Sequence, residues 1–344
     1  MLWDFEDDDE ARDPSTMTPI EIARLGLANE IYQLHEKLRF GRKAPAVLWH
    51  YTSGASLLSI VESATLWATQ VSCLNDQQEL LHAAQLLRNE FKALKEGHTE
   101  DSDHVFLDRV IEELAVDLAL QSPVFIASFS EQANDLNQWR SYAGGEGGYV
   151  LGFDYRGVDF GQPDDDFILP VIYEPDQQIE IMKATARELL QAYRSGVKGG
   201  EDPHDFTKSF AIPVTMDALT VLGPFLKHES FKAEAEWRVV SHLPAGDESR
   251  LKFRQKQSML SRHLPMDFHR NGQIMPSGKL PLAFLGVGPS RHQGVSVNSV
   301  TGLLKSKGYP TSNGLYPLLQ TDGFHPSEPA EVIVWASDIP FRGT

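Results

Sequence analysis

The chain carries a single cysteine in 344 residues, Cys73, so no disulfide can form within it and its stability must come from a packed core. Positive charge is scarce as well: 31 Lys and Arg stand against 48 Asp and Glu, a formal net charge of −17. A field of that sign repels polyanions at long range, which disfavours non-specific DNA or RNA binding while leaving room for a local basic site. No stretch approaches the ~20 consecutive apolar residues that cross a bilayer. The best candidate, Leu114 to Leu120, is broken by Asp117. The opening MLWDFEDDDE has neither the basic segment nor the apolar run of a secretory signal, so a cytoplasmic protein without a membrane partner is expected.

Several familiar motifs are missing too. The one glycine cluster, Gly144-Gly145-Glu146-Gly147-Gly148, precedes its strand, whereas a Rossmann loop follows a strand and opens a helix. A Walker lysine, a Gly-x-Ser-x-Gly elbow and a His-Glu-x-x-His zinc helix are all absent. Scattered histidines and a lone cysteine build no thiolate-rich zinc site, so no metal cofactor is expected.

What is present is a large apolar complement, 41% of residues, enough for a substantial core. Residues 1–17 read as an acidic tail outside that core, since residues 1–13 hold seven acids and only Arg12. Thr18-Pro19-Ile20-Glu21 then caps a helix. A run from Ala46 to Trp49 reads as a strand delivering His50-Tyr51-Thr52, with Ser53 capping a short helix after it. Asp76 to Glu79 forms a capping box for a helix reaching about Glu96, with Gly97 as a left-handed cap. Further helices are expected at about His104 to Gln121, Asp135 to Tyr142 and Val297 to Lys307. Strands are expected at Leu66 to Thr69, Val124 to Ser130, Tyr149 to Asp154, Trp237 to Ser241, Leu251 to Arg254, Leu282 to Val287 and Glu331 to Trp335. Residues 175–228 read as a helical insertion, broken near Gly196 to Pro203 and at Pro213 and Pro224. Helices grouped rather than alternating with strands predict one α+β domain over residues 18–342, not a doubly wound sheet.

Four stretches carry candidate chemistry. His50 and Thr52 have a ring nitrogen and a hydroxyl that suit a ribose, although taken alone a His and Tyr satisfied in the core are the simpler reading. Ser128 and Ser130 flank Phe129, so both hydroxyls fall on one face of their strand, or serve as ordinary strand-end caps. Arg140, beside Trp139 and Tyr142, suits a pyrophosphate and a flat ring, while packing explains Trp139 as well. In Lys232 to Val240, period-two alternation places Glu234, Glu236 and Arg238 on one face. Two carboxylates at that spacing can divide labour between a developing cation and an acceptor, or can form a solvated face neutralised by Arg238.

Taken in order, Leu48 to Thr52, Leu66-Trp67, Leu74-Asn75-Asp76, Phe129-Ser130-Glu131, Trp139 to Ala143, Gly148 to Asp154, Glu234 to Val240 and Ser337 to Arg342 resemble a bacterial family catalogued as domain of unknown function 2971. That family in turn resembles the ADP-ribosyltransferase superfamily, in which a first-strand His or Arg, a Ser-x-Ser strand and a Glu-x-Glu strand build the site. His50, Ser128 with Ser130, and Glu234 with Glu236 match in the same chain order. The resemblance implies a split, mostly antiparallel sheet with NAD as substrate and Glu236 at the oxocarbenium-like centre. It also implies Glu234 at the acceptor, His50 and Thr52 at the ribose, and Arg140 at the pyrophosphate. The departures are Phe129 in place of a small polar residue and an unassigned nicotinamide-stacking tyrosine, for which Tyr51 and Tyr142 both stand. Expected partners are NAD, a protein or nucleic-acid acceptor, and an inhibitory or regulatory partner, as in toxin or phage-defence effectors. NAD hydrolysis and non-catalytic nucleotide or partner binding are the alternatives.

Overall fold

The computed structural model describes residues 45–73, 78–97, 100–114, 124–143, 147–154, 159–160, 167–243, 247–256, 259–266, 268–270, 273–274, 279–314 and 331–341, with the isolated positions 29 and 33. The acidic tail, most of the helix expected after Thr18, the Leu74-Asn75-Asp76 stretch, Gly144 to Glu146 and Arg342 lie outside the described residues. The protein combines helices with a mostly antiparallel open sheet. Read as one domain with an insertion, the chain divides by its contacts into two compact units. No described helix is long and apolar enough to cross a membrane.

The sheet unit comprises the described parts of Lys43–Thr69, Phe125–Ile168 and Ala233–Thr344. Its elements begin with β1 (Val47–Thr52), α1 (Gly54–Ser63), β2 (Leu66–Gln70) and β3 (Val124–Ser130), two of which cross the unit boundary by one residue. The helical unit supplies α2 (Gln78–Glu96) and α3 (Asp101–Glu113) between β2 and β3. Next come α4 (Leu136–Tyr142), β4 (Tyr149–Asp154), β5 (Asp159–Phe160) and β6 (Phe167–Pro170). After α5 (Pro175–Lys198), α6 (Pro203–Phe206) and α7 (Ile212–Leu222), the chain returns to β7 (Glu236–His242), β8 (Lys252–Lys256) and β9 (Met259–Met266). Short strands β10 (Phe268–Arg270) and β11 (Gln273–Ile274) precede β12 (Leu282–Val287), α8 (Gln293–Ser306), β13 (Thr311–Asn313) and β14 (Val332–Ala336).

The main sheet runs β13-β14-β12-β4-β1-β3-β2-β9-β8, with β7 also paired to β3. Only the β12–β14 and β13–β14 registers are parallel among those described. β1 is central and pairs along its whole length with β4, Val47 opposite Asp154 through Thr52 opposite Tyr149. Its side chains alternate between two cores, as a strand buried on both faces requires. Leu48 joins Leu57, Ile60 and Val61 of α1 on one face, while Trp49 and Tyr51 join Trp139, Phe284 and Trp335 on the other. A β-carbon on Gly152 would lie 2.7 Å from the Trp49 ring, so glycine there lets the indole lie flat on the sheet.

The helical unit contains α2, α3, α5, α6 and α7. Aromatic rings line its interior: Phe106 stacks on Tyr193 at 4.8 Å and Phe206 on Phe210 at 4.7 Å. The break expected near Gly196 to Pro203 lies between Lys198, the end of α5, and Pro203, the start of α6, but Gly196 itself does not end a helix: it lies inside α5, where a β-carbon would come within 2.2 Å of the Phe206 ring. Pro213 does not end a helix either. A π turn over Thr207–Ala211 precedes α7, whose second residue is Pro213, and the Ile212 amide bonds back to Thr207, so the extra residue accommodates a proline that has no amide hydrogen to give. The Gly97 expectation is also corrected: its φ is not positive, and its amide reaches the Leu94 carbonyl at 3.1 Å.

Candidate active site

The sheet opens at the residues the sequence singles out. β1 meets β3 through one register pair, Trp49 with Ser130, and one position further on the His50 ring takes over. Its Nδ1 lies 2.9 Å from the Ser128 carbonyl. A carbonyl can only accept, so Nδ1 carries the proton and a neutral ring keeps Nε2 as an acceptor. Burial holds the His50 pKa below the usual histidine value; the Ser128 hydrogen bond opposes that shift and the Arg254 charge adds to it.

Alternation divides the His50-Tyr51-Thr52 triplet. His50 lies on the Leu48 face, its ring 5.7 Å from that of Phe129, and Thr52 shares that parity. Tyr51 lies on the opposite face, buried, its ring edge-on to Trp139 at 4.8 Å. The Tyr51 hydroxyl donates to the Gln132 carbonyl at 2.8 Å and accepts the Asp135 amide at 3.0 Å, which fixes the entry into α4. Asp135 in turn caps α4 through the amides of Asn137 and Gln138. Of the two tyrosines considered for nicotinamide, Tyr142 is the exposed one, at 40%. Arg140 is exposed on the same short helix, with no side-chain partner among the described residues.

Ser128 and Ser130 share the Trp49 face, because Ser130 pairs with Trp49 while Phe129 packs in the other core. Ser130 is buried. Its Oγ donates to the Glu234 carbonyl at 2.7 Å and accepts the Gln132 amide at 3.0 Å, and the Glu131 amide donates to the Ala235 carbonyl at 3.0 Å. The end of β3 is thus tied to the entrance of β7, 104 positions away.

That entrance departs from the expected alternation. Glu234 ends a 3₁₀ segment, Glu229–Glu234; Ala235 takes a left-handed conformation at φ 45°; and β7 begins only at Glu236. The two carboxylates therefore do not share a strand face, and their environments differ. Glu236 is 6% exposed, and Arg238 grips it bidentately, Nε to Oε1 at 2.8 Å and Nη2 to Oε2 at 2.9 Å. Glu234 is half-buried and accepts the Tyr142 hydroxyl at 3.4 Å. A third carboxylate, not proposed from sequence as a site residue, stands beside them: Glu131 Oε1 accepts the buried Trp237 indole at 2.7 Å. Its signal was its position directly after Ser130.

Sequence reasoning also missed Arg254. The guanidinium is close enough to His50 to act on its titration, and Nη1 donates to Ser56 Oγ at 3.1 Å in the first turn of α1, where Ser53 accepts the Ser56 amide. Packing around the Arg254 guanidinium lowers its pKa, although the residue as a whole is exposed. Nothing local announces this role, which depends on a hairpin returning some 200 positions later.

The glycine cluster is partly described. Gly147 and Gly148 have φ of 78° and 132°, and a β-carbon on Gly148 would lie 2.2 Å from that of Ala143, so the glycine lets the chain fold back on the end of α4. The closing segment reaches the same helix: Asn134 Oδ1 accepts Trp139 Nε1 at 2.8 Å and Ser337 Oγ at 2.6 Å, and Asn134 Nδ2 donates to Asp338 at 2.7 Å. Among the described residues no group of three His, Cys, Asp or Glu side chains is placed to hold a metal ion.

Comparison with curated proteins and with solved structures finds no match. Residues 138–239, which run from α4 through β4 and the helices to the middle of β7, match the family described as "Protein of unknown function (DUF2971)".

Proposed function

We propose that this chain is an NAD-dependent ADP-ribosyltransferase that acts on a macromolecular acceptor. One observation carries the reading: segments around 50, 128–130 and 234–236 meet through the His50–Ser128 and Ser130–Glu234 hydrogen bonds. The order matches the His, Ser-x-Ser and Glu-x-Glu series of the superfamily the sequence resembles.

Of the two glutamates, Glu234 takes the position facing the oxocarbenium-like centre, because both oxygens of Glu236 already accept from Arg238. A carboxylate beside a developing cation lowers the barrier electrostatically. Nicotinamide leaves as a neutral base, so no strong general acid is needed. His50, neutral through burial, offers Nε2 to a ribose hydroxyl, and exposed Tyr142 offers its ring to nicotinamide. The buried Glu236–Arg238 pair favours a second reading, non-catalytic nucleotide or partner binding, because a carboxylate so engaged adds no free charge to the cleft.

Free nicotinamide released from NAD by the purified chain, with and without cell extract as acceptor source, tests this. Release that needs extract and falls at least about 100-fold in Glu234→Gln, with unfolding unchanged, is the expected result. Release without extract identifies hydrolysis. No release and no calorimetric NAD binding overturn the reading in favour of the non-catalytic one.

A further inference from the structure

The helical unit holds a cavity to which NAD chemistry assigns nothing. It measures about 380 Å³, within the range that small-molecule ligands occupy, and lies between α3 and the segment running from α6 into the π turn. Seven of the nine residues that line it have ionisable side chains, so the question is which of them are already matched.

Three are. Asp108 is paired with Lys95, and Arg109 with Glu112 at 3.5 Å and with Glu113 at 2.5 Å. The other four, Asp101, His104, His204 and Lys208, have no side-chain partner among the described residues. His104 is half-buried and the other three are exposed. Lys208 belongs to the π turn, a rare widened turn that recurs at functional sites.

A lysine and two imidazoles left over in a chain of net charge −17 are a local excess of hydrogen-bond donors. Among the described residues no group of three His, Cys, Asp or Glu side chains is placed to hold a metal, so these imidazoles suit an anion better than a cation. The donors stand on two walls, His104 on α3 and His204 with Lys208 on the facing segment. Donors spread in this way match the oxygens of a tetrahedral phosphate, whereas a carboxylate presents two oxygens in one plane. Asp101 repels a phosphate, but its carboxylate accepts from a hydroxyl carried beside one.

We propose that this cavity binds a small hydroxylated phosphate monoester, with Lys208, His104 and His204 on the phosphate and Asp101 on a neighbouring hydroxyl. The assignment does not rest on the NAD reading, and its test contains no NAD.

Calorimetric titration of the full chain with glycerol 3-phosphate, inorganic phosphate and glycerol tests it. Glycerol 3-phosphate is expected to bind at one site, inorganic phosphate to compete for that site more weakly, and glycerol not to bind. Lys208→Met and His204→Ala should each weaken glycerol 3-phosphate about tenfold, the loss of one charge-assisted hydrogen bond. Asp101→Ala should tighten inorganic phosphate and narrow its gap to glycerol 3-phosphate. Lys198→Met, an exposed cation of the same unit outside the lining, should change neither. Each variant is checked for unaltered thermal unfolding, and the substituted residues are exposed enough for the fold to tolerate the change. No binding of either phosphate at millimolar concentration overturns the proposal. So does binding that the Lys208 and His204 variants retain in full, or equal binding of acetate, which would show a surface that takes any anion.

Discussion

Two arginine–carboxylate pairs among the described residues, each with a buried carboxylate, are alike in geometry and opposite in reach. In the helical unit, Arg194 donates to both oxygens of fully buried Asp103, at 3.0 and 2.6 Å, from 91 positions away. In the sheet unit, Arg238 does the same for Glu236, at 2.8 and 2.9 Å, from two positions away. The first pair ties α5 to α3, so it exists only when the unit is folded, and the Asp103 hydrogen bond correspondingly raises the Arg194 pKa. The two hydrogen bonds of the second connect no separate elements. Taking charges out of water is costly, and a pair that joins distant elements offsets part of that cost by fixing their packing. A local pair offers no such return, and it sits at the start of β7, next to the turn that places Glu234. The difference teaches which buried pair to read as architecture and which as part of a site.

The largest expected effect tests the architectural pair. Arg194→Ala leaves the Asp103 carboxylate buried without its bidentate donor, and urea unfolding should lose about 3 kcal/mol. Nicotinamide release per folded molecule should stay unchanged. A loss below about 1 kcal/mol would remove the contrast between the pairs.

The local pair responds differently when both partners change. Arg238→Met alone takes both guanidinium donors from a buried carboxylate and should cost about 3 kcal/mol, whereas adding Glu236→Leu removes that charge and should bring stability back to within about 1–2 kcal/mol of the parent. Thermal unfolding follows stability and nicotinamide release follows function. A restored fold without activity places the pair in the site, and a restored fold with full activity breaks the comparison.

Much of this was legible in the sequence, and the failures share a cause. β3 and β4 match their expected limits, and Ser53 and Asp135 cap helices as their positions imply, because alternation and capping are local effects. The Glu234 to Arg238 alternation failed at Ala235, since alanine gives no sign that it will adopt a left-handed conformation it ordinarily avoids. α8 begins four residues before its expected start, at Gln293, where Gly294 and Ser296 obscure the helical period. The split of His50 from Tyr51 follows from alternation, but which face each would occupy awaited the neighbouring strands. Arg254 and the Asp103–Arg194 tie depend on contacts between distant segments, which no window of sequence contains.

Ala235 gives a smaller test on the same comparison. Ala235→Gly removes the β-carbon that resists φ 45° and should raise stability by about 0.5–1 kcal/mol, as should Ala64→Gly at the left-handed end of α1, where φ is 54°. Only the first substitution loosens the turn that sets Glu234 beside Ser130 and Tyr142. A drop in nicotinamide release confined to Ala235→Gly would show that the turn, and not the Glu236–Arg238 pair alone, organises the site.

The smallest effect is a pH dependence, and its sign follows from His50. Burial lowers the folded pKa below the unfolded value of about 6.5, so the unfolded chain binds the proton more readily. The stability associated with a neutral His50 is fully present above pH ~6.5 and is lost as pH falls through the lowered folded value. His50→Gln retains a hydrogen-bond donor for the Ser128 carbonyl but cannot titrate. The difference in urea midpoint between parent and variant should therefore hold constant above neutrality and shift against the parent as pH falls from 6.5 toward 5. A difference that stays flat over that range would mean that the ring protonates without cost in the folded state. Burial would then not be what keeps Nε2 an unprotonated acceptor for a ribose hydroxyl.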